Sequence, residues 1–217
     1  MPFGLHRRLI QSATYLTVLR NPVDRAISDY YFSISSPLHP DYRALKKLTL
    51  NEFIQATPNN NIQTKLLAGQ ITGYDFLAGE CTPEMLTAAV ENLRNRFAFV
   101  GLTERFEESL ALAKHLFGWK IRRYVSFRVT RGRPLKDSIP LATRELIAEH
   151  NAFDVALYGH AVELFEEIAA QHRKHMPDEI QAIRLAKEVG VTESFFYRAA
   201  STALKAFVGL NSAAQMH

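Results

Sequence analysis

The chain has 217 residues, 47% of them hydrophobic, so it is long enough to bury a core as one domain with an appendage. The net charge of +4 suits an anionic ligand. The sequence contains no run of five like charges, which is the pattern that would indicate a nucleic-acid-binding tract. With Cys81 as its single cysteine, this sequence cannot form an intrachain disulfide or a cysteine-type zinc site. It contains no apolar run of 18 residues, so no transmembrane helix is predicted.

Strand signals occur at three places in the sequence. Residues 15–19 and 97–102 are short apolar runs rich in β-branched and aromatic residues, which is typical of buried parallel strands. Residues 119–129 predict a third, amphipathic strand.

Helix signals fill the intervals between these runs. Pro22 stops the first strand and suits the first turn of a helix, and Thr82 before Pro83 is a typical N-cap. Helices alternating with strands over short connections favour an α/β fold. The predicted helices cover residues 23–33, 49–56 (with a Thr49/Glu52 capping box), 63–67, 83–96, 104–117 (capped by Thr103 and stopped by Gly118), 142–151, 153–175, 178–189 and 192–207.

Residues 19–32 contain the string Leu-Arg-Asn-Pro-x-x-Arg-x-x-Ser-x-Tyr-x-Phe. An arginine at the end of a strand, followed by a serine on the next helix, places a charged fork and a hydroxyl where one phosphate can receive both. The string therefore indicates an anion site at Arg20 and Ser28. The alternative is an arginine extending from a strand end and a serine on a solvated helix face.

This string resembles the 3′-phosphate-binding segment of sulfotransferases that use PAPS (3′-phosphoadenosine-5′-phosphosulfate). The resemblance implies that Arg20 and Ser28 hold the 3′-phosphate of the nucleotide. It extends over about residues 2–170, and the branch indicated is that of carbohydrate sulfotransferases of the uronyl, heparan-type 2-O kind. The segments that carry it are residues 61–69, 99–110, 128–134 and 149–158.

The resemblance also implies roles for two further groups of residues. A basic loop with Arg131, Gly132 and Arg133 would cover the nucleotide, and its alternative is an exposed basic turn. The polar side chains of residues 61–64 would line the acceptor cleft, and their alternative is loop capping. The residues of this second group are Asn61, Gln63 and Thr64.

Two parts of the family pattern are not found in this sequence. No Gly-Lys-Ser or Gly-Lys-Thr string supplies the family's P-loop-like cradle for the 5′-phosphosulfate. The family's catalytic histidine aligns just before Met1, so we expect a truncated sequence or, alternatively, a pseudoenzyme. His6 is the candidate substitute base, beside Arg7 or Arg8, although a lone histidine near a terminus is commonly structural.

We therefore expect a P-loop NTPase-like parallel sheet that lacks its first strand and P-loop, flanked by helices. Residues 1–176 would form the α/β domain and residues 177–217 a helical extension. The predicted reaction moves a sulfuryl group from PAPS to a carbohydrate hydroxyl without a metal, and the chain alone would be inactive. The alternative is a non-catalytic module that binds 3′-phosphoadenosine or a glycan.

Expectations about partners follow from the same resemblance. The acceptor would be a polysaccharide or a glycolipid, and no nucleic acid is expected. A bacterial chain would be cytoplasmic, with contact to the membrane surface as an option. An open sheet edge beside residues 15–19 makes self-association an expected property.

Overall fold

A pair of parallel strands, β1 (Tyr15–Leu19) and β2 (Phe97–Leu102), lies at the centre of the fold, as the sequence predicts. They pair from Leu16 opposite Phe99 to Leu19 opposite Leu102, so their carboxyl ends lie side by side. The computed structural model describes residues 3–4, 14–56, 60–69, 79–121, 124–125, 132–174, 176–185 and 187–188.

Helices make up most of the described chain and confirm an α/β arrangement around this small sheet. A second pair of parallel strands, β3 (Tyr124–Val125) and β4 (Lys187–Glu188), is only two residues long. The helices are α1 (Pro22–Ser35), α2 (Tyr42–Leu45), α3 (Leu50–Ala56), α4 (Ile62–Ala68), α5 (Pro83–Arg96), α6 (Phe106–Phe117), α7 (Leu141–His150), α8 (Ala152–His172) and α9 (Met176–Leu185).

The predicted helix ends at α3, α5 and α6 are confirmed. The Thr49 N–H donates to Glu52 Oε2 at 2.7 Å and the Glu52 N–H donates to Thr49 Oγ1 at 3.3 Å, which is a complete capping box. Thr82 Oγ1 accepts from the Met85 N–H at 3.4 Å. Gly118 ends α6 with a φ of 66°, a left-handed conformation that glycine adopts without strain.

Three predicted elements differ from the structure. Thr103 makes no capping hydrogen bond, and Thr103–Arg105 form a 3₁₀ turn before α6 begins. Of the strand predicted over residues 119–129, residues 119–121 are not strand, whereas Tyr124–Val125 are. Lys187–Glu188, at the end of the helix predicted over residues 178–189, form β4 instead. The helix predicted over residues 192–207 lies outside the described residues.

The main core packs around β2. Phe99 and Gly101 face α6, where a Cβ on Gly101 would lie 3.1 Å from Ser109 Cβ. Alternation places Val100 and Leu102 on the opposite face of the strand. Helix α8 also contacts β2 and adds Leu157, Ala161 and Phe165, each fully buried, to the same hydrophobic cluster. These residues therefore belong to the core.

A second hydrophobic cluster joins α1, α3 and α7 to the segment that precedes α7. Its members include Ala26 and Ile27 of α1, Phe53 of α3, Ile147 of α7, and Ile139 from the segment before α7. Ile139 thus anchors residues 132–139 against α1.

The predicted division between residues 176 and 177 has no independent support. Helix α9 begins at Met176 and runs across it, and Ile183 on this helix belongs to the main core. Lys114 of α6 also forms an ion pair with Glu179 of α9. The division at residue 177 and self-association stay predictions.

Within the described part of the chain, no helix has the length and apolarity to cross a membrane.

Candidate functional site

The backbone of Arg20, directly after β1, is held by a side chain from helix α4. The Arg20 N–H donates to Gln63 Oε1 at 2.9 Å, and Gln63 Nε2 donates to the Arg20 carbonyl at 2.9 Å. The amide of Gln63 therefore pairs with Arg20 as a neighbouring strand would. This contact sets the position from which the Arg20 side chain extends.

The next residue, Asn21, is held by a side chain that follows the carboxyl end of the neighbouring strand, β2. Its N–H donates to Glu104 Oε1 at 2.8 Å, and Tyr158 Oη donates to Glu104 Oε2 at 2.8 Å. Parallel strands bring these two loops to the same edge of the sheet, which is where α/β proteins bind ligands. Burial and the hydrogen bond to Glu104 raise the pKa of Tyr158, so its hydroxyl stays protonated at neutral pH.

Two arginine side chains meet at one carboxylate in the first turn of α1. Arg20 Nε donates to Asp24 Oδ2 at 2.7 Å, and Arg20 NH2 pairs with the same oxygen. Arg133 NH2 pairs with the other oxygen, Oδ1. All three side chains are partly exposed, at 27%, 18% and 20% for Arg20, Asp24 and Arg133. The group carries one excess positive charge and remains accessible to a ligand.

Ser28 lies one helical turn beyond Asp24. Residues four positions apart share a helix face with Cβ atoms about 5–6 Å apart, so Asp24 and Ser28 are neighbours on α1. Ser28 is half-buried. Ser28 therefore follows, on the same face of α1, the carboxylate that pairs with Arg20 and Arg133, and its contact with a phosphate stays a prediction.

A second cation, Arg25, lies deeper in the structure. Its NH2 donates to Asn151 Oδ1 at 3.3 Å, and its Nε lies 4.0 Å from Asp154 Oδ2. Burial lowers the pKa of Arg25, and the charge of Asp154 opposes that shift. Arg25 also lines a small, solvent-open cleft together with Asp29, Phe53, Ile54, Asn60 and His150.

Helices α4 and α8 cap each other. The Thr64 N–H and Oγ1 donate to Asp154 Oδ1 at 2.7 and 2.8 Å, and the Gln63 N–H donates to Asp154 Oδ2 at 3.2 Å. In return, Asn61 Oδ1 accepts from the Asp154 N–H at 3.1 Å, in the first turn of α8. Each helix start thus supplies the acceptor for the other's free N–H groups.

The residues predicted to bind the acceptor therefore have polar partners inside the protein. Thr64 is fully buried and Asn61 nearly so, while the Gln63 amide is paired with Arg20. Their contacts show a part in assembling the strand-end site, and contact with an acceptor stays a prediction.

The other predicted site residues are only partly described. Arg133 pairs with Asp24 in the first turn of α1, and Gly132 directly precedes it, while their contact with a nucleotide stays a prediction. Arg131 and His6 lie outside the described residues, so a nucleotide contact for Arg131 and a role as base for His6 stay predictions. Burial raises the pKa of Cys81 to about 11, which keeps it a thiol at neutral pH and agrees with a packing role.

Comparison with known proteins gives a match over most of the chain. The family model for galactose-3-O-sulfotransferase matches residues 4–200. The chain belongs to this family. The predicted membership of the carbohydrate sulfotransferases is confirmed, and the matched branch is the galactose-3-O one, whereas the sequence analysis named the uronyl 2-O branch.

Individual relatives agree with this family. The human galactosylceramide sulfotransferase is 30% identical over 189 residues, covering 82% of this chain and 44% of the relative. The bovine galactose-3-O-sulfotransferase 3 is 26% identical, with 85% and 45% covered, and the human heparan-sulfate 6-O-sulfotransferase 3 is 29% identical, with 70% and 38% covered. The chain spans less than half the length of these relatives. No solved structure matches it.

Sequence reasoning missed three carboxylates that organise this site. Asp24 lies inside the recognised string, and its spacing of four from Arg20 is a usable signal for a helical ion pair. Glu104 and Asp154 lie within segments that match the family, but their partners are distant in sequence. A tertiary structure was needed to show what they bind.

Proposed function

We propose that this chain supplies the 3′-phosphate-binding part of a PAPS-dependent carbohydrate sulfotransferase. The observation that carries the proposal is the pairing of Arg20 and Arg133 with the one carboxylate of Asp24, at the carboxyl ends of β1 and β2 and one helical turn before Ser28. Two guanidinium groups and a hydroxyl are donors suited to a phosphate. The family membership supplies the class of nucleotide.

The electrostatics of the site favour a phosphate. With Asp24 counted, the group keeps one positive charge, and its partial burial strengthens a charge-assisted hydrogen bond relative to bulk water. Arg25 adds a further cation close enough to Arg20 that the charge of Arg20 helps to lower the Arg25 pKa. A dianionic phosphate monoester gains from each of these charges.

In the proposed reaction an acceptor hydroxyl oxygen bonds to the sulfur of PAPS. The bond between that sulfur and the 5′-phosphate oxygen breaks, and the hydroxyl proton passes to a base. The products are a sulfate ester and adenosine 3′,5′-bisphosphate. The described residues bind and orient the nucleotide, and His6 is the base that the sequence proposes.

We also propose that the two parallel strands correspond to part of a P-loop-like sheet, with ligands at its carboxyl edge. The small cleft beside Arg25 combines amide, imidazole and charged groups with the apolar side chains of Ala26, Phe53 and Ile54, a mixture that suits the hydroxyls and the apolar face of a sugar. A carbohydrate hydroxyl is thus the proposed acceptor, as in the names of the relatives.

Calorimetry with two nucleotides tests this function. The wild-type chain should bind adenosine 3′,5′-bisphosphate more tightly than adenosine 5′-monophosphate, because only the first presents a phosphate to Arg20 and Ser28. Arg20→Ala should weaken binding of the bisphosphate by about 1.5–3 kcal/mol, the strength of a charge-assisted hydrogen bond. Equal wild-type affinities for the two nucleotides would refute the proposal.

Arg94→Ala is the matched control for Arg20→Ala. It removes the same charge from an exposed ion pair with Glu163 on the surface between α5 and α8. Its affinity for both nucleotides should equal that of the wild type. A labelled-sulfate transfer assay on glycans then measures turnover, and appreciable turnover by this chain would exclude the non-catalytic module and contradict the expectation that the chain alone is inactive.

A further inference from the structure

We infer that Asp24 is a positioning residue that orients Arg20 and Arg133 for the nucleotide's 3′-phosphate. The inference rests on the proposed function and adds a residue to it. Its basis is one carboxylate whose two oxygens are each paired with a different arginine. These arginines are 113 positions apart in sequence and come from separate segments.

The geometry at Asp24 is directional. Its Oδ2 atom takes both the Nε and the NH2 donors of Arg20, which fixes one edge of that guanidinium, while Oδ1 takes NH2 of Arg133. A guanidinium has five N–H donors, so each arginine keeps donors beyond those used on Asp24. Asp24 therefore orients both side chains without consuming their capacity to bind a phosphate.

A carboxylate is needed here because two guanidinium groups repel each other. Brought to one ligand without a counter-charge, Arg20 and Arg133 would separate and become mobile in the unbound protein. Ordering them would then occur at the moment of binding and would reduce affinity. With Asp24 in place, this ordering is complete before the nucleotide arrives.

The same carboxylate ties a segment to α1. Residues 132–139 are anchored at one end by Ile139 in the second core cluster and at the other by Arg133 on Asp24. Gly132, just before the ion pair, has a φ of 76°, which turns the chain in a way that other residues adopt only with strain. Asp24 thus sets the position of the segment as well as that of the side chains.

The competing explanation is that Asp24 only stabilises its helix. An acidic residue in the first turn interacts favourably with the helix dipole, and Asp24 occupies such a position. Helix α5 offers a matched comparison, because Thr82, Pro83 and Glu84 reproduce a cap, a proline and a first-turn acid. Glu84 forms no ion pair with an arginine among the described residues.

The experiment compares the wild type with Asp24→Asn, Asp24→Glu and Glu84→Gln in the full 217-residue chain. Calorimetry measures the affinity of each for adenosine 3′,5′-bisphosphate and for adenosine 5′-monophosphate. Asp24→Asn should bind the bisphosphate at least about tenfold more weakly and bind the monophosphate as the wild type does. Asp24→Glu should recover part of the loss, and Glu84→Gln should show none.

Each outcome has a defined meaning. A wild-type protein that does not prefer the bisphosphate overturns the proposed function, and this inference with it. A wild type that does prefer it, with an Asp24→Asn variant that keeps the full preference, overturns the inference alone. Tighter bisphosphate binding by Asp24→Asn also overturns it, since Asp24 would then be a competing anion.

A second variant guards against loss of folding. If Asp24→Asn does not fold, Arg133→Gln removes the same ion pair from the other side, outside any helix. Arg133→Gln should lose bisphosphate affinity, and Asp24→Glu combined with Arg133→Gln should lose less than the sum of the two single losses, because Asp24 acts partly through Arg133 and partly through Arg20. Additive losses in this pair of variants would show that the two residues act independently and would overturn the inference.

Discussion

Single side chains with two partners each hold the strand-end site together. Gln63 pairs with both backbone groups of Arg20, Asp24 pairs with two arginines, and Glu104 joins the Asn21 N–H to the Tyr158 hydroxyl. Each of these contacts links segments that are distant in sequence or fixes a side chain at the start of α1. At the scale of single residues, the directions of hydrogen bonds and ion pairs specify the site more than burial does.

Tyr158 gives a pH-dependent test of this geometry. Its pKa is raised by burial and by the hydrogen bond to Glu104, so the folded state holds the proton more tightly than the unfolded state does. Unfolding therefore releases this proton once the pH exceeds about 10, the ordinary tyrosine pKa, and the contribution of Tyr158 to stability falls as the pH rises further.

Urea denaturation of the wild type and of Tyr158→Phe at a series of pH values measures this effect. We expect the wild type to be more stable below pH 10 and the difference to shrink above it. Other tyrosines and lysines titrate in both proteins, so their effect cancels in the comparison. A difference that stays constant through this range would contradict the assigned hydrogen bond.

At the scale of elements, the reciprocal capping of α4 and α8 determines where the site forms. Asp154 binds the first turn of α4, Asn61 binds the first turn of α8, and α4 carries Gln63 to the backbone of Arg20. The two helix starts therefore depend on each other, and the end of β1 depends on both.

Asp154→Ala should destabilise the protein by about 3–5 kcal/mol, the usual cost of removing one partner from a buried charged group. The side chain of Asp154 is fully buried and accepts hydrogen bonds from Gln63 and Thr64, beside Arg25. Asp154→Asn keeps one carbonyl oxygen and should cost less. Chemical denaturation measures both variants.

Glu167→Ala is the control for Asp154. It removes a carboxylate from the same helix at an exposed position, where a change of about 0.5 kcal/mol or less is expected. If Asp154→Ala and Glu167→Ala shift the denaturation midpoint equally, the reciprocal capping contributes little to stability. Nucleotide affinity of Asp154→Asn then reports whether Gln63 still orients Arg20.

At the scale of the molecule, two hydrophobic clusters lie on either side of the site. One gathers β2, α5, α6, α8 and α9, and the other joins α1, α3 and α7. The contact between Arg25 of α1 and Asp154 of α8 joins a helix of the second cluster to a helix of the first. The site thus depends on the relative placement of two packed regions.

The position of α9 in the main core leads to a prediction about stability. Ile183 is 1% exposed and belongs to the main core, so Ile183→Ala should lower the free energy of unfolding by about 2–5 kcal/mol through lost burial and the cavity it leaves. Leu185→Ala removes the same number of carbons from a residue 78% exposed on the same helix and should have little effect. Circular dichroism during urea unfolding measures both.

The two variants also test whether residues beyond 176 form a separate extension. A single unfolding transition shifted by Ile183→Ala places α9 in the same cooperative unit as the α/β core. An unchanged main transition, or a separate early one, would instead support the division that the sequence analysis proposed at residue 177.

The sequence by itself was sufficient for β1, β2, several helix ends and the family. Apolar runs located β1 and β2, and caps at Thr49 and Thr82 located helix starts, because hydrophobic pattern and capping chemistry act over a few residues. The string from Leu19 to Phe32 indicated the sulfotransferase family that the comparison confirmed. Arg20 and Ser28 were selected in the same way.

Only the tertiary structure decided which side chains meet at the strand end. Asp24 with Arg133, Glu104 with Asn21 and Asp154 with Thr64 are pairs more than 80 positions apart, and no local pattern relates their members. The pairing of Tyr124–Val125 with Lys187–Glu188 is likewise a contact between segments that are distant in sequence. Hydrogen bonds and ion pairs depend on distance and direction in space, which folding supplies and residue spacing does not.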